Sequence, residues 1–213
     1  MSTNYDEFLP EVLPYVHDCA YPVAINSIRN ACIEFCDKTD YLVYTHDPVS
    51  VIAGQAAYAL TVPAGTEVAR ILSGWYDGLR MAPKGEEDLR LQFPLDWRTM
   101  TGRPQYFTHA IPSSVTVIPA PQTDATDALK FIIALRPSRA STTVDDIIYS
   151  RFAEQIGWGA RARLYETPNQ PYYDPQGAML YRSRFQTAIG GAKIERNYGL
   201  TRGPIYARPP RIV

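Results

Sequence analysis

The hydrophobic period of the chain changes twice, and this double switch limits the fold more than any other feature. In YPVAINSIRNACIEFCDKT, from about Pro22 to Lys38, Ile25, Ile28, Cys32 and Phe35 recur at spacings of three and four, and Pro22 suits a first helical turn. From Tyr41 to about Pro137 the period shortens. YLVYTHD, SVIAG, YALTV, EVARILSGWYDG, QYFTHA, SVTVIPA and LKFIIALRP are β-rich runs separated by Gly, Pro, Asn, Asp or Ser. Within that stretch GEEDLRLQF and PLDWRTM read as short helical turns, the first placing Glu86, Glu87 and Asp88 where a helix dipole favours them. The helical period returns at STTVDDIIYSRFAEQIGWGARARLYE, with Thr143 expected as N-cap, Asp146 completing a shortened capping box, and Ile148, Phe152, Ile156 and Ala160 as the buried stripe. After the turn TPNQPYYDP, QGAMLYRSRFQTAIGGAKIE repeats the pattern through Tyr181, Phe185, Ile189 and Ala192; Gly190 and Gly191 weaken its end by ~1 kcal/mol each relative to Ala. The expected class is therefore α+β: a helical bundle from residues 1–40 and 138–198, an inserted antiparallel β module over 41–137, and an extended basic C-terminal tail over 199–213.

At 213 residues such a chain removes roughly 70% of its unfolded surface from water, so it can build a substantial core. Fifteen tyrosines and eighteen prolines favour contact surfaces and stiff loops over catalytic machinery. No apolar run approaches the ~18 residues of a membrane helix, and the acidic start MSTNYDEF lacks the character of a signal peptide, so no membrane association and assembly in a host cytoplasm are expected. The net charge of −1 conceals an asymmetry. Residues 1–149 carry 11 basic and 18 acidic side chains (net −7), and residues 150–213 carry 10 and 4 (net +6). Either the basic third faces nucleic acid or an acidic protein, or the two ends neutralise each other within the fold or between subunits.

Catalytic constellations are weak. Asp145 and Asp146 are adjacent, so on a helix they point about 100° apart and cannot flank one bond; helix capping accounts for them. The serines lack a nucleophile elbow, the three histidines are scattered, and Gly190-Gly191 opens no phosphate loop. His17, Cys19, Cys32 and Cys36 could formally make a Cys3His zinc site, but H-x-C followed by C-x3-C matches no common structural spacing, and buried thiols are the alternative. The expectation is a protein with no cofactor and no enzymatic activity; the competing class is a cytoplasmic enzyme or regulator with a basic nucleic-acid-binding tail.

Two surfaces are candidates for function. Arg151, Glu154, Trp158, Arg161 and Tyr165 make a second stripe on the third long helix, rotated from the buried one, and large aromatics interleaved with arginine suit a subunit interface; a solvated face with one half-buried Trp is the other reading. The tail TRGPIYARPPRIV has three arginines, three prolines and no acidic residue, too few apolar groups for a core of its own. Extended, its thirteen residues reach at most roughly 40 Å. Ile205, Tyr206, Ile212 and Val213 offer apolar anchors, Arg202, Arg208 and Arg211 offer charge-assisted bonds, and Pro209 and Pro210 limit the freedom lost on docking.

FLPEVLPYVHDCAYPVAINSIRNACIEFCDKT resembles the opening of the head-to-tail adaptor (connector) proteins of short-tailed phages and related prophages. GRPQYFTHAIPSSVTVIPAPQTDATDALKFIIALRPS resembles their middle, with G-x-P-x-Y-F, then an aliphatic strand ending in P-x-P, then a strand ending in L-R-P. The resemblance implies a virion subunit at the head-tail junction, one copy in a ring, usually a dodecamer. Such a ring docks on the portal protein and receives a tail or nozzle protein, leaving a channel through which DNA passes without sequence-specific binding. It further implies that the helices pack laterally against neighbouring copies, that the β module contacts tail components, and that the basic tail reaches the portal.

Overall fold

The computed structural model describes residues 2–93 and 97–199. In chain order the elements are β1 (Ser2–Asn4), a 3-10 helix (Tyr5–Glu11), α1 (Tyr21–Thr39), β2 (Leu42–Thr45), β3 (Val49–Val51), β4 (Ala57–Ala59), β5 (Thr66–Tyr76), β6 (Leu79–Pro83), α2 (Glu86–Gln92), β7 (Tyr106–Ile111), β8 (Ser114–Ile118), β9 (Ala125–Pro137), β10 (Thr143–Asp145), α3 (Asp146–Tyr165) and α4 (Pro175–Tyr198). The molecule is α+β, as the two changes of period require. The acidic run Glu86, Glu87 and Asp88 occupies the first turn of α2. Of PLDWRTM, Pro94, Leu95 and Asp96 lie outside the described residues, and Trp97 to Thr99 form a turn.

α1 starts with Pro22 in its first turn and stops at Asp40, whose φ of 53° is left-handed and ends the helical ladder. Its inner face buries Ile28, Cys32 and Phe35 completely, with Ile25 partly covered at the margin. Phe35 is the centre of the helical core, with ring centroids 4.8 Å from Phe152 of α3 and 6.4 Å from Phe185 of α4. Ile148, Phe152, Ile156 and Ala160 are all buried, as are Phe185, Ile189 and Ala192, while Tyr181 is half-buried. Burying an aliphatic or aromatic side chain of this size contributes ~1.5–3 kcal/mol, so this stripe-to-stripe packing dominates the stability of the bundle.

One expectation at the α3 start is corrected. Thr143 is not the N-cap: residues Thr143–Asp145 are strand β10, pairing antiparallel with β1 in the register Ser2↔Asp145, Thr3↔Val144 and Asn4↔Thr143. Asp145 is the cap, its Oδ1 accepting from the Ile147 N–H at 3.0 Å, and Asp146 accepts instead from Thr3 Oγ1 at 2.7 Å. The backbone of Thr143 is drawn into a strand by a partner 139 residues away, which local capping rules cannot anticipate.

The eight-stranded sheet runs β2-β9-β5-β6-β7-β8-β4, with β3 also paired to β9. β9 is its spine, carrying β2 and β3 in succession on one edge and β5 on the other. The expected all-antiparallel pattern fails between two neighbouring strands of the sheet, and again at the isolated parallel bridge Thr101↔Ala120. β6 and β7 are parallel, through Ala82↔Tyr106 and Pro83↔Phe107, because residues 84–105, including α2, carry the chain back to run in the same direction. The sheet closes over a second core centred on Phe107, Leu129, Phe131 and Ile133, and Leu42 packs against both cores.

Candidate interaction face of the helical bundle

α3 carries the sequence Gly157-Trp158-Gly159, and the two glycines determine what packs on either side of the tryptophan. A Cβ on Gly157 would stand 2.7 Å from Glu11 Cβ and 3.1 Å from the Glu11 carbonyl oxygen, so the end of the 3-10 helix lies directly on it. A Cβ on Gly159 would meet the Phe185 ring at 3.0 Å and Ala31 at 3.1 Å, where α4 and α1 approach. Trp158, between them, is half-buried: it packs on the helical core and forms one wall of a shallow groove of about 430 Å³ with Gln155 of α3 and Ser183, Arg184, Thr187 and Ala188 of α4.

The other members of the α3 stripe separate into distinct roles. Arg161 is 3% exposed, its guanidinium stacked 4.0 Å from the Tyr15 ring centroid and 4.6 Å from that of Tyr181, while its Nε donates to the Gly157 carbonyl at 3.3 Å. It is thus a cation held between two aromatic faces inside its own bundle. Tyr165, half-buried, donates its hydroxyl to the Tyr15 carbonyl at 2.7 Å and lies 5.9 Å from Tyr181. Arg151 forms an ion pair with Glu195 of α4 at 2.7 Å and donates to the Tyr41 hydroxyl at 2.9 Å; Tyr41 donates in turn to Glu195 at 2.8 Å. Burial, then the Glu195 carboxylate, raises the Tyr41 pKa. Of the stripe, Arg151 and Glu154 are exposed and Trp158 is half-buried.

The charge asymmetry resolves within the chain at one carboxylate. Glu34 of α1 accepts from Lys38 at 2.7 Å, from Arg163, from Arg182 at 3.3 Å and from Gln186 at 3.3 Å, and Arg182 also pairs with Glu166 at 2.9 Å. Burial alone would raise the Glu34 pKa, but the Lys38 hydrogen bond and the charges of Arg163, Lys38 and Arg182 together outweigh it and hold the carboxyl below its ordinary value. An acidic residue of the first helix thereby neutralises basic residues of the last two, which the sequence left open. Glu34 itself drew no attention as a site, because in α1 it is simply an acid four residues before a lysine.

The outer side of α4 was also missed. Met179, Leu180, Ser183, Thr187, the Gly190-Gly191 pair and Ile194 project along one exposed face that carries no charge, with Met179 70% and Ile194 61% exposed. Its signal was present in the sequence as spacings of three and four without Asp, Glu, Lys or Arg.

Among the described residues no three His, Cys, Asp or Glu side chains converge as metal ligands. His17 is exposed, whereas Cys32 and Cys36 are buried thiols whose pKa values burial raises, so the Cys3His set is not assembled. No helix among them is long and apolar enough to cross a membrane. Arg202, Ile205, Tyr206, Arg208, Pro209, Pro210, Arg211, Ile212 and Val213 lie outside the described residues. The family model described as SU10 adaptor protein matches residues 3–208. No curated protein matches the chain.

Proposed function

The chain belongs to the SU10 adaptor protein family and is a phage structural adaptor, and from that premise we propose that it joins the portal to the tail in the virion. The observation that carries this reading is the extent of the match, which runs through the bundle and the sheet and into the basic tail as far as Arg208. In this reading the subunit is one member of a ring, a dodecamer by resemblance, with DNA passing through its centre. The bundle, residues 1–40 with 138–198, packs laterally on its neighbours, Trp158 standing at the contact. The β module over 41–137 faces a tail or nozzle protein, and the tail over 199–213 docks on the portal protein.

The internal pairing of Arg151, Arg163 and Arg182 supports a channel role, since a conduit must let DNA slide and dense arrays of free arginine would retain phosphate. Deleting residues 201–213 tests the docking arm. The truncated chain is expected to fold and melt as the full chain does, yet to lose co-sedimentation with portal rings. Undiminished portal binding would remove the tail from the reading. A chain that shifts oligonucleotides in a steeply salt-dependent manner would point to nucleic-acid binding instead.

A further inference from the structure

We propose that Arg80, Trp75 and Lys130, a row across the outer face of the sheet, take an extended acidic segment of a protein partner. That the partner is the tail protein rests on the adaptor reading; the row and the charge it selects belong to this chain alone.

Strand pairing sets the three side chains next to one another. Trp75 of β5 stands opposite Arg80 of β6 and opposite Lys130 of β9, so the row crosses three adjacent strands. The neighbouring row, Gly74 with Met81 and Phe131, is buried on the second core. Successive residues of a strand face opposite ways, so the Trp75 row points away from that core. Arg80 and Lys130 are exposed and Trp75 is half-buried. The other two tryptophans each have a core: Trp158 packs on that of the bundle, and Trp97 lies with Leu89 and Ile118. Among the described residues Trp75 packs on none of the three cores.

The indole is part of a continuous surface. Ala82, two residues beyond Arg80, is exposed, and half-buried Ile132, two beyond Lys130, lies opposite Ser73 and exposed Thr45. Farther along, the same face is already covered: Tyr106, opposite Ala82, packs with Leu89 of α2 and lies 6.0 Å from the Phe93 ring. The Trp75 row begins where that cover ends.

Charge and spacing select the occupant. Among the described residues the charged heads of Arg80 and Lys130 make no ion pair or ring contact. Of the nearest acids, Asp77 has Arg103 at 3.9 Å, and Asp127 lies beyond the last β5–β9 pair, Tyr76↔Leu129. The row therefore keeps a positive charge on each side of its indole. Two strand spacings separate Arg80 from Lys130, about 9.6 Å. A polyproline-like segment rises about 3.1 Å per residue with three residues per turn, so its side chains at i and i+3 share one edge about 9.3 Å apart. Laid across the strands, such a segment sets a carboxylate on each cation and its intervening apolar residues on Trp75 and Ile132. Nucleic acid is the weaker occupant, because single strands are held by successive stacking platforms along a basic groove, whereas this row has one indole beside aliphatic positions.

The test uses the full chain and two peptides of about twelve residues, repeats of Glu-Pro-Leu and of Lys-Pro-Leu. By calorimetry the acidic peptide is expected to bind the wild-type chain, and to bind both Trp75→Ala and the double variant Arg80→Glu with Lys130→Glu at least about ten-fold more weakly. The basic peptide is expected to prefer the double variant, a rescue that a misfolded chain could not give. Absence of acidic-peptide binding at about 1 mM, or equal binding by the double variant, would overturn the proposal. Tighter binding of an oligothymidylate of the same length would overturn it in favour of nucleic acid, and self-association abolished by the double variant would overturn it in favour of a second copy. Co-sedimentation with portal rings tests the adaptor reading separately. The double variant is expected to retain it, so failure of one is distinguishable from failure of the other.

Discussion

Glu34 is where one side chain ties three helices together, and its energetics follow from its neighbours. With 15% of its side chain exposed it holds Lys38, Arg163 and Arg182, so removing its charge leaves the partly buried Arg163 without a counter-charge and Arg182 with Glu166 alone. Glu34→Gln is expected to cost about 2 kcal/mol at neutral pH, measured by urea denaturation. Because the folded-state pKa is depressed, the stabilisation is fully present above the unfolded-state value near 4.5 and is lost as pH falls through the lower folded value. The gap between wild type and variant should therefore be constant from pH 7 down to about 5 and close below about 4.5. A gap that persists unchanged to pH 3 would assign the loss to packing. At this scale the sequence showed apolar stripes better than charges: Ile28, Phe35 and Phe185 could be read from their spacing, but which acid meets which arginine depends on how three helices face one another.

Elements explain where local rules succeeded and where they did not. Helix ends at Pro22 and the buried stripes of α1, α3 and α4 were legible because period and breakers act locally. The parallel β6-β7 pair, the β1-β10 ladder and the reassignment of the α3 cap were not, since each depends on a strand remote in sequence. Arg161 shows the same limit for the site: the rings it stacks on, Tyr15 and Tyr181, lie elsewhere in the chain, and spacing along α3 does not reveal them. Gly157 is the most exacting contact between elements. Gly157→Ala gains up to ~1 kcal/mol of helix propensity, but its methyl would stand 2.7 Å from Glu11 Cβ and 3.1 Å from a backbone oxygen that cannot rotate away. Overpacking of this kind costs typically 1–3 kcal/mol, so a net loss of about 1–2 kcal/mol is expected, together with earlier proteolysis near the 3-10 helix. A melting temperature equal to or above wild type would show that the segment is not held against α3.

For the whole molecule, the decisive question is how a chain whose two larger cores meet around Leu42 would present a surface to the neighbours proposed for it. Most of its polar machinery is consumed internally: Arg161 is enclosed, Arg151 is tied to Glu195, and Arg163 and Arg182 are tied to Glu34. Among the side chains that face outward on the bundle are the half-buried indole of Trp158 and the uncharged strip beside it. A Trp that becomes fully desolvated at an interface contributes about 2 kcal/mol or more, roughly a 30-fold change in each contact constant. In a closed ring every subunit makes that contact once, so the loss is repeated at each step of closure. Trp158→Ala is therefore expected to leave a folded monomer, slightly destabilised because its inner edge packs on the helical core, and to abolish complete rings on portals in negative-stain images. Charge reversal at Glu154, exposed on α3 one turn before Trp158, should only slow assembly in a salt-sensitive way. Complete rings formed by Trp158→Ala at wild-type concentration would move the lateral contact away from α3.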